Sequence, residues 1–476
     1  MGKITGFLEI ERRDVAYAPA ADRVRHFKEF LIPLDDDEVV RQAARCMDCG
    51  IPYCHTGCPV NNQIPDWNDM VYNSDWEEAA RDLHSTNNFP EITGRICPAP
   101  CEEACTLALE DVPVTIKTVE CAIADKAFQQ GWVVPQPPAE RTGKRIAVIG
   151  GGTAGMAGAQ QLARRGHEVH IFEREAKAGG LLRYGIPDFK MEKYHIDRRV
   201  EQLEAEGVIF HYDKDVGVNC LAQEIVDAHD AVLLGIGAER PRDVPIPGRE
   251  LNGVHYAMPY LVQQNKRLGG EDISDQVPIL ADGKNVVVIG GGDTASDCIG
   301  TAFRQSAVSV TQIDIRPIPP MKENKLLVWP DWPVRFRTSA SQAEGAEREF
   351  STGTIEIVGD MGRVTGVKCA RVDQDRVPLP ETEYIMRAEL VLIAIGFSGP
   401  VHKGLLDELK LEIDGDPEGR STAQANTEDY VTSNPKVFAA GDMRMGQSLT
   451  VWAIREGRQA AHSIDKFLMG SSDLPR

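Results

Sequence analysis

The sequence predicts an α/β protein in three parts: a helical N-terminal domain followed by two Rossmann-like nucleotide-binding domains, the second inserted in the first. Three observations predict it. Two glycine-rich turns, VIGGGTAG and VIGGGDTA, each follow an apolar strand and open a helix. Seven cysteines crowd into two short groups before them, among short helices and Pro-rich loops. After the second glycine unit comes another apolar strand ending in an acid, VFAAGD (437–442), then a helix from about Val451. The simplest wiring returns that last segment to the first unit.

At 476 residues the chain has room for three domains at about 150 residues each. We expect a helical domain over 1–140, a first nucleotide-binding segment over 141–270, an inserted nucleotide-binding domain over 271–396, and a second segment of the first over 397–476. In the first part, DDDEVVRQAARC has acids in its first turn and reads as a helix delivering Cys46 at its end. WEEAARDLHSTN is another amphipathic stretch, and PQPPAERTGK (135–144) is a linker. The net charge of −20 argues against nucleic-acid or anionic-membrane partners. No apolar run approaches the about 18 residues of a membrane span, and MGKITGFLEIERRD has no signal core. A cytoplasmic location is expected, so eleven cysteines favour metal or cluster ligation over disulfides.

Cys46-x2-Cys49-x4-Cys54-x3-Cys58-Pro resembles a ferredoxin run with one gap lengthened. In two-cluster ferredoxins the fourth cysteine of such a run serves the other cluster. Cys46, Cys49 and Cys54 are therefore expected on one iron–sulfur cluster, with Cys58 crossing to a second. For Cys97, Cys101 and Cys105, Pro98 and Pro100 predict a loop delivering Cys97 and a helix starting near Cys101. Seven thiolates are one short of two four-ligand sites; Cys121 and its neighbour Glu120, on the apparent helix VECAIADKAF, are the candidates for the eighth. A zinc site is the alternative, but zinc favours paired CxxC units and this spacing is unpaired. Cys220, Cys298 and Cys369 stand alone and read as core residues.

In the first glycine turn, Gly150, Gly152 and Gly155 permit a tight turn and close approach of a pyrophosphate to a helix N-terminus. Glu173 ends the next strand, where an acid accepts from ribose hydroxyls. The second turn is Gly290-x-Gly292-x-x-Ala295, and its following strand ends IDIRP. Asp314 there favours a free 2′-hydroxyl and Arg316 a 2′-phosphate; Arg316, nearer the strand end, tips the reading to NADP(H). Each unit has a later strand ending in glycine, AVLLGIGA and LVLIAIGF, the second bringing Gly396 to the nucleotide side.

These residues, in this order, resemble the small (β) subunit of bacterial glutamate synthase. The match runs from MGKITGFLE through ARCMDCGIPYCHTGCP, CPAPCEEAC, GGLLRYGIPDFK, GGGDTASDC and VWPDWPVRFRTSASQAEG to AAGDMRMGQSLTVWAIREGRQA. The N-terminal half of dihydropyrimidine dehydrogenase is similar in arrangement, and the VWPDWP–QAEG stretch favours the glutamate synthase subunit. The resemblance implies FAD at the first site, lined also by Gly180, Leu181 and Lys190 and closed by Gly441, Asp442 and Thr450. It implies NADPH at the second, held by Gly292, Asp293, Thr294 and Ala295 with Arg316. The related dehydrogenase has an amide side chain as the eighth cluster ligand, and Glu120 stands at that position. Thr153 stands where relatives often have Pro.

The family resemblance further implies an electron-input subunit: hydride from NADPH to FAD, then single electrons through two [4Fe-4S] clusters to a large α subunit carrying FMN. No glutaminase nucleophile signature is present, and no catalytic side chain is expected in this chain, since such transfer needs stacking and positioning. The alternatives are a free-standing NADPH:acceptor oxidoreductase, a subunit of another flavin/iron–sulfur reductase, and a zinc-binding nucleotide-sensing scaffold.

Overall fold

Two five-stranded parallel sheets carry the nucleotide-type domains. In the computed structural model, which describes residues 2–476, the first sheet has the order Val437–Ala439, Ala231–Leu234, Arg145–Ile149, Glu168–Phe172, Val208–His211. The central strands are buried on both faces and read as continuous apolar runs, as parallel strands covered by helices must. Val437–Ala439 pairs in parallel with Ala231–Leu234, so the C-terminal segment does return to the first domain. It brings the helix Thr450–Met469, which crosses the helix Thr153–Arg164 at small residues. A Cβ on Gly457 would lie 2.2 Å from the Ala154 carbonyl oxygen, so glycine sets that spacing.

The second sheet runs Glu347–Phe350, Ser309–Asp314, Asn285–Ile289, Leu390–Ile393, Val254–Tyr256, again all parallel. A three-stranded antiparallel sheet, Thr352–Asp360, Arg363–Arg371 and Tyr384–Arg387, extends it. The sequence-based boundary at 270 is corrected here: Val254–Tyr256 is the edge strand of the second sheet, and the helix Ala257–Leu268 shares its core. A three-residue edge strand carries no periodicity to read, and the parallel sheet recruits it only through Leu390–Ile393. The chain crosses between the domains twice, and the two crossings pair antiparallel as Arg240–Pro241 and Phe397–Gly399.

The N-terminal domain is helical. Asp35 caps the helix Asp36–Ala43 by accepting from the Glu38 amide at 2.8 Å, and Cys46 lies just past its end. Trp76–Thr86, Pro90–Ile96 and Ile116–Gln129 follow, and Cys101 sits inside Pro100–Ala104 with Pro100 at the first turn. This domain shares one apolar core with the first nucleotide domain. Arg199 and Glu91 cross that interface as a fully buried two-point ion pair at 2.6 and 2.7 Å. Among the described residues no helix is long and apolar enough to cross a membrane.

Candidate functional site

The cysteines divide differently from the chain order of their groups. Cys46, Cys49 and Cys54 line one cavity together with Cys105, which comes from the second group. Cys58, Cys97 and Cys101 form a second group with Glu120, within reach of one another's charge. Cys58 thus lies with the second set, and Cys105 with the first. That exchange gives each set four donors.

The thiols of both sets are buried or half-buried. Burial pushes Cys46, Cys58 and Cys97 up to about 12; Cys105 and Cys49 push Cys46 in the same direction, and Glu120 does so for Cys58 and Cys97. Glu120 is also driven up by burial, to about 7, although Thr93 Oγ1 and Asn87 Nδ2 donate to its Oε1 at 2.6 and 3.1 Å. Groups so costly to ionise alone fit a ligand that supplies compensating positive charge. No three His, Cys, Asp or Glu side chains among the described residues are arranged for a single metal ion. The first set, four thiols, lines one cavity, and the second gathers three thiols and a carboxyl. Cys121 is not among them: its Sγ faces Arg95 and Asp125. Cys298 and Cys369 are core residues, and Cys220 is half-buried.

The first glycine turn opens onto a cleft of about 340 Å³. Gly150, Gly152, Glu173, Gly180, Leu181 and Asp442 line it. Gly150 has φ +101°, and a Cβ there would meet the Gly235 carbonyl oxygen at 2.6 Å. A Cβ on Gly155 would lie 2.0 Å from the Gly150 carbonyl oxygen, so this glycine serves helix packing rather than ligand contact. Glu173 is buried and accepts from the amides of Gly151 (2.8 Å) and Glu175 (2.9 Å), which fixes its carboxylate at the end of its strand. Gly441 abuts Ala154, and Asp442 accepts from Ser448 Oγ at 2.6 Å. Thr450 begins the returning helix, with Ala453 one turn on reaching the cleft wall.

Lys190 is not on the cleft lining. Its ammonium pairs with Asp297 of the second domain's helix Asp293–Arg304, and its neighbour Phe189 packs at Gly300 of the same helix. The GIPDFK loop therefore joins the two domains. Sequence reasoning also missed the Arg174–Glu239 pair (Nη2 to Oε1, 2.8 Å), together with Lys214 and Lys403, on the cleft wall. Arg174 follows Glu173 directly, and that adjacency was the available signal.

The second glycine turn repeats the first. A Cβ on Gly290 (φ +135°) would meet the Ala394 carbonyl oxygen at 2.2 Å, as Gly150 meets Gly235. Gly292 and Asp293 are exposed at the helix start with open space before Gly292, Thr294 is half-buried, and Ala295 packs inward. Asp314 lies over Gly291 and receives Arg316 at 3.0 Å (Nε) and 2.8 Å (Nη2); the Arg316 side chain is 59% exposed. Gly396 lies at the domain crossing, where its carbonyl accepts from the Arg242 amide.

One contact links the returning helix to the cysteine domain. Arg455, on the returning helix just beyond Ala453, donates to the carbonyl of Pro59 at 2.9 Å, next to Cys58.

Residues 23–132 match the dihydropyrimidine dehydrogenase domain II, 4Fe-4S cluster family, and residues 144–457 the pyridine nucleotide-disulphide oxidoreductase family. The small chain of NADPH glutamate synthase from Mycobacterium tuberculosis is 49% identical over 477 residues, covering 99% of this chain and 97% of that one. The Bacillus subtilis small chain is 44% identical over the whole of both. The chain belongs to the glutamate synthase small-chain family. As a member of that family it is an NADPH-dependent flavoprotein oxidoreductase with an N-terminal 4Fe-4S domain. The glutamate synthase [NADH] of Schizosaccharomyces pombe is 43% identical across this entire chain, which covers 23% of that protein. Mycobacterium tuberculosis FprA, solved in complex with NADPH, shares the fold: TM-score 0.54, 18% identity, 69% of this chain and 85% of that one.

Proposed function

We propose that this small chain is the electron-input half of a glutamate synthase, taking electrons from NADPH and passing them through two [4Fe-4S] clusters to the FMN of a large α subunit that makes glutamate from glutamine and 2-oxoglutarate. What supports the reading is the presence in one chain of two cysteine sets and a glycine-turn cleft, in a sequence 49% identical over 99% of its length to an NADPH glutamate synthase small chain.

FAD bound in the cleft would supply the conversion of a hydride into electrons released one at a time. The chain's own residues do the positioning. The Gly150–Gly155 turn exposes backbone amides at the start of Thr153–Arg164 for the pyrophosphate. Glu173, held by two amides, keeps an acceptor toward a ribose. The Gly292 turn offers the same cradle to NADPH, with Arg316 at its rim for the 2′-phosphate. Cys58, Cys97, Cys101 and Glu120 would hold the cluster nearer the cleft, and Cys46, Cys49, Cys54 and Cys105 the farther one. The proposed compartment is the cytoplasm.

Separating the two chains tests this reading. The isolated small chain should oxidise NADPH with ferricyanide or a tetrazolium dye and make no glutamate; adding the large chain should restore NADPH-dependent glutamate formation. Glutamate formation by the small chain alone would refute the division of labour.

A further inference from the structure

Between the strands Ser309–Asp314 and Glu347–Phe350 the chain leaves the second nucleotide domain and lies across the cysteine domain. This is the segment containing VWPDWPVRF, and nothing in nucleotide binding requires it. It is fastened at both ends of its path. On the cysteine domain, Asp111 pairs with Lys325 at 3.1 Å, and Glu103 receives Arg335 and Arg337 at 2.5 and 3.1 Å. On the nucleotide domain, Ser296 Oγ donates to Ser339 Oγ at 2.6 Å, and Glu344 pairs with Arg304 at 2.8 Å, both groups fully buried.

Between those fastenings, Trp329 meets the ligand loop of the first cysteine set. Its ring lies 4.6 Å from that of Tyr53, at 55°. Tyr53 is itself a wall of the cavity lined by Cys46, Cys49, Cys54 and Cys105. The Trp329 indole Nε1 donates to the backbone carbonyl of Cys105 at 3.3 Å. One side chain from the nucleotide domain therefore backs the cavity wall and holds the backbone of a thiol donor.

We infer that Trp329 is a positioning residue for the first cluster: with Tyr53 it closes the outer wall of that cavity and fixes Cys105. This rests on the reading that the four-cysteine cavity holds a [4Fe-4S] cluster. Solvent exposure and hydrogen bonding around the ligands set cluster potentials. Admitting water stabilises the more highly charged reduced state, so opening the wall raises the potential. It also exposes the cluster to oxidative loss.

The test uses the full chain, prepared anaerobically with its large chain, as wild type, Trp329→Ala, Trp329→Phe and Trp332→Ala. Trp332 lies in the same segment and stacks on Arg337. EPR-monitored redox titration should show one cluster moved to higher potential in Trp329→Ala, with the other unchanged, and iron loss in air should be several-fold faster. Trp329→Phe, which keeps a ring against Tyr53 but not the indole donor, should fall between. Trp332→Ala should match wild type, and dye reduction through the flavin should be unaffected in all. Unchanged potential and loss rate in Trp329→Ala and Trp329→Phe would overturn the inference, as would equal effects from Trp332→Ala. Absence of iron from the wild type would instead overturn the cluster reading beneath it.

Discussion

Asp314 and Arg316 stand two residues apart at one strand end and form a two-point ion pair, Nε to Oδ1 at 3.0 Å and Nη2 to Oδ2 at 2.8 Å. The two groups that give opposing signals for nucleotide choice are thus paired with each other. Asp314 is buried against Gly291 and committed to Arg316, which leaves the guanidinium as the outer, accessible group. Arg316→Ala should raise KM for NADPH about 10- to 100-fold while changing KM for NADH little, since a charge-assisted contact to phosphate is worth about 1.5–3 kcal/mol. Steady-state kinetics with both nucleotides checks this, and unchanged discrimination would make Asp314 the reader.

The partition of the cysteines predicts which cluster each substitution removes. Cys105→Ser should abolish the signal of the farther cluster and Cys101→Ser that of the nearer one, each lowering iron to about half. Cys121→Ser should leave iron content unaltered, because its Sγ faces Arg95 and Asp125. Iron assay and EPR of anaerobic preparations distinguish the three.

The two glycine turns, the acids that follow them and the ferredoxin-like run were legible because each is a local pattern whose chemistry demands particular residues at fixed spacing. The pairing of Cys105 with the first group was not, since it depends on how the helix Pro100–Ala104 packs against Tyr53–Gly57, a tertiary fact. Lys190 was read through family resemblance as a flavin contact, whereas its loop spans to Asp297. Arg455 and Trp329 reach backbone carbonyls, and such contacts leave no residue pattern in the partner segment. Val254–Tyr256 was too short to show a period.

The return of the C-terminal helix predicts a packing defect. Gly457→Ala places a methyl 2.2 Å from the Ala154 carbonyl oxygen and forces the helices Thr450–Met469 and Thr153–Arg164 apart. Overpacking of this kind costs about 1–3 kcal/mol. Thermal melting should fall, and FAD retained after desalting should fall with it, because Ala154 and Ala453 both line the cleft.

The Glu91–Arg199 pair predicts acid sensitivity. Burial alone would raise Glu91, but the Arg199 charge and hydrogen bonds outweigh it and hold the carboxyl at about 2, below its usual 4.5. A depressed carboxyl contributes its stability in full above the unfolded value and loses it as pH falls from about 5 toward 2. The contribution is on the order of 3 kcal/mol. Glu91→Gln should destabilise the chain at pH 7 by about 3–5 kcal/mol, since it strands a buried guanidinium. It should also flatten the acid limb of a denaturant-unfolding series run across pH.

NADPH electrons should enter a flavin in this chain and leave through two clusters. Anaerobic titration of the small chain with its large chain, using NADPH and followed by visible absorption, EPR and metal assay, tests it most directly. About one FAD and about eight irons per small chain are expected, with bleaching of the flavin bands and EPR signals from reduced clusters. A colourless protein holding stoichiometric zinc and no iron would contradict it.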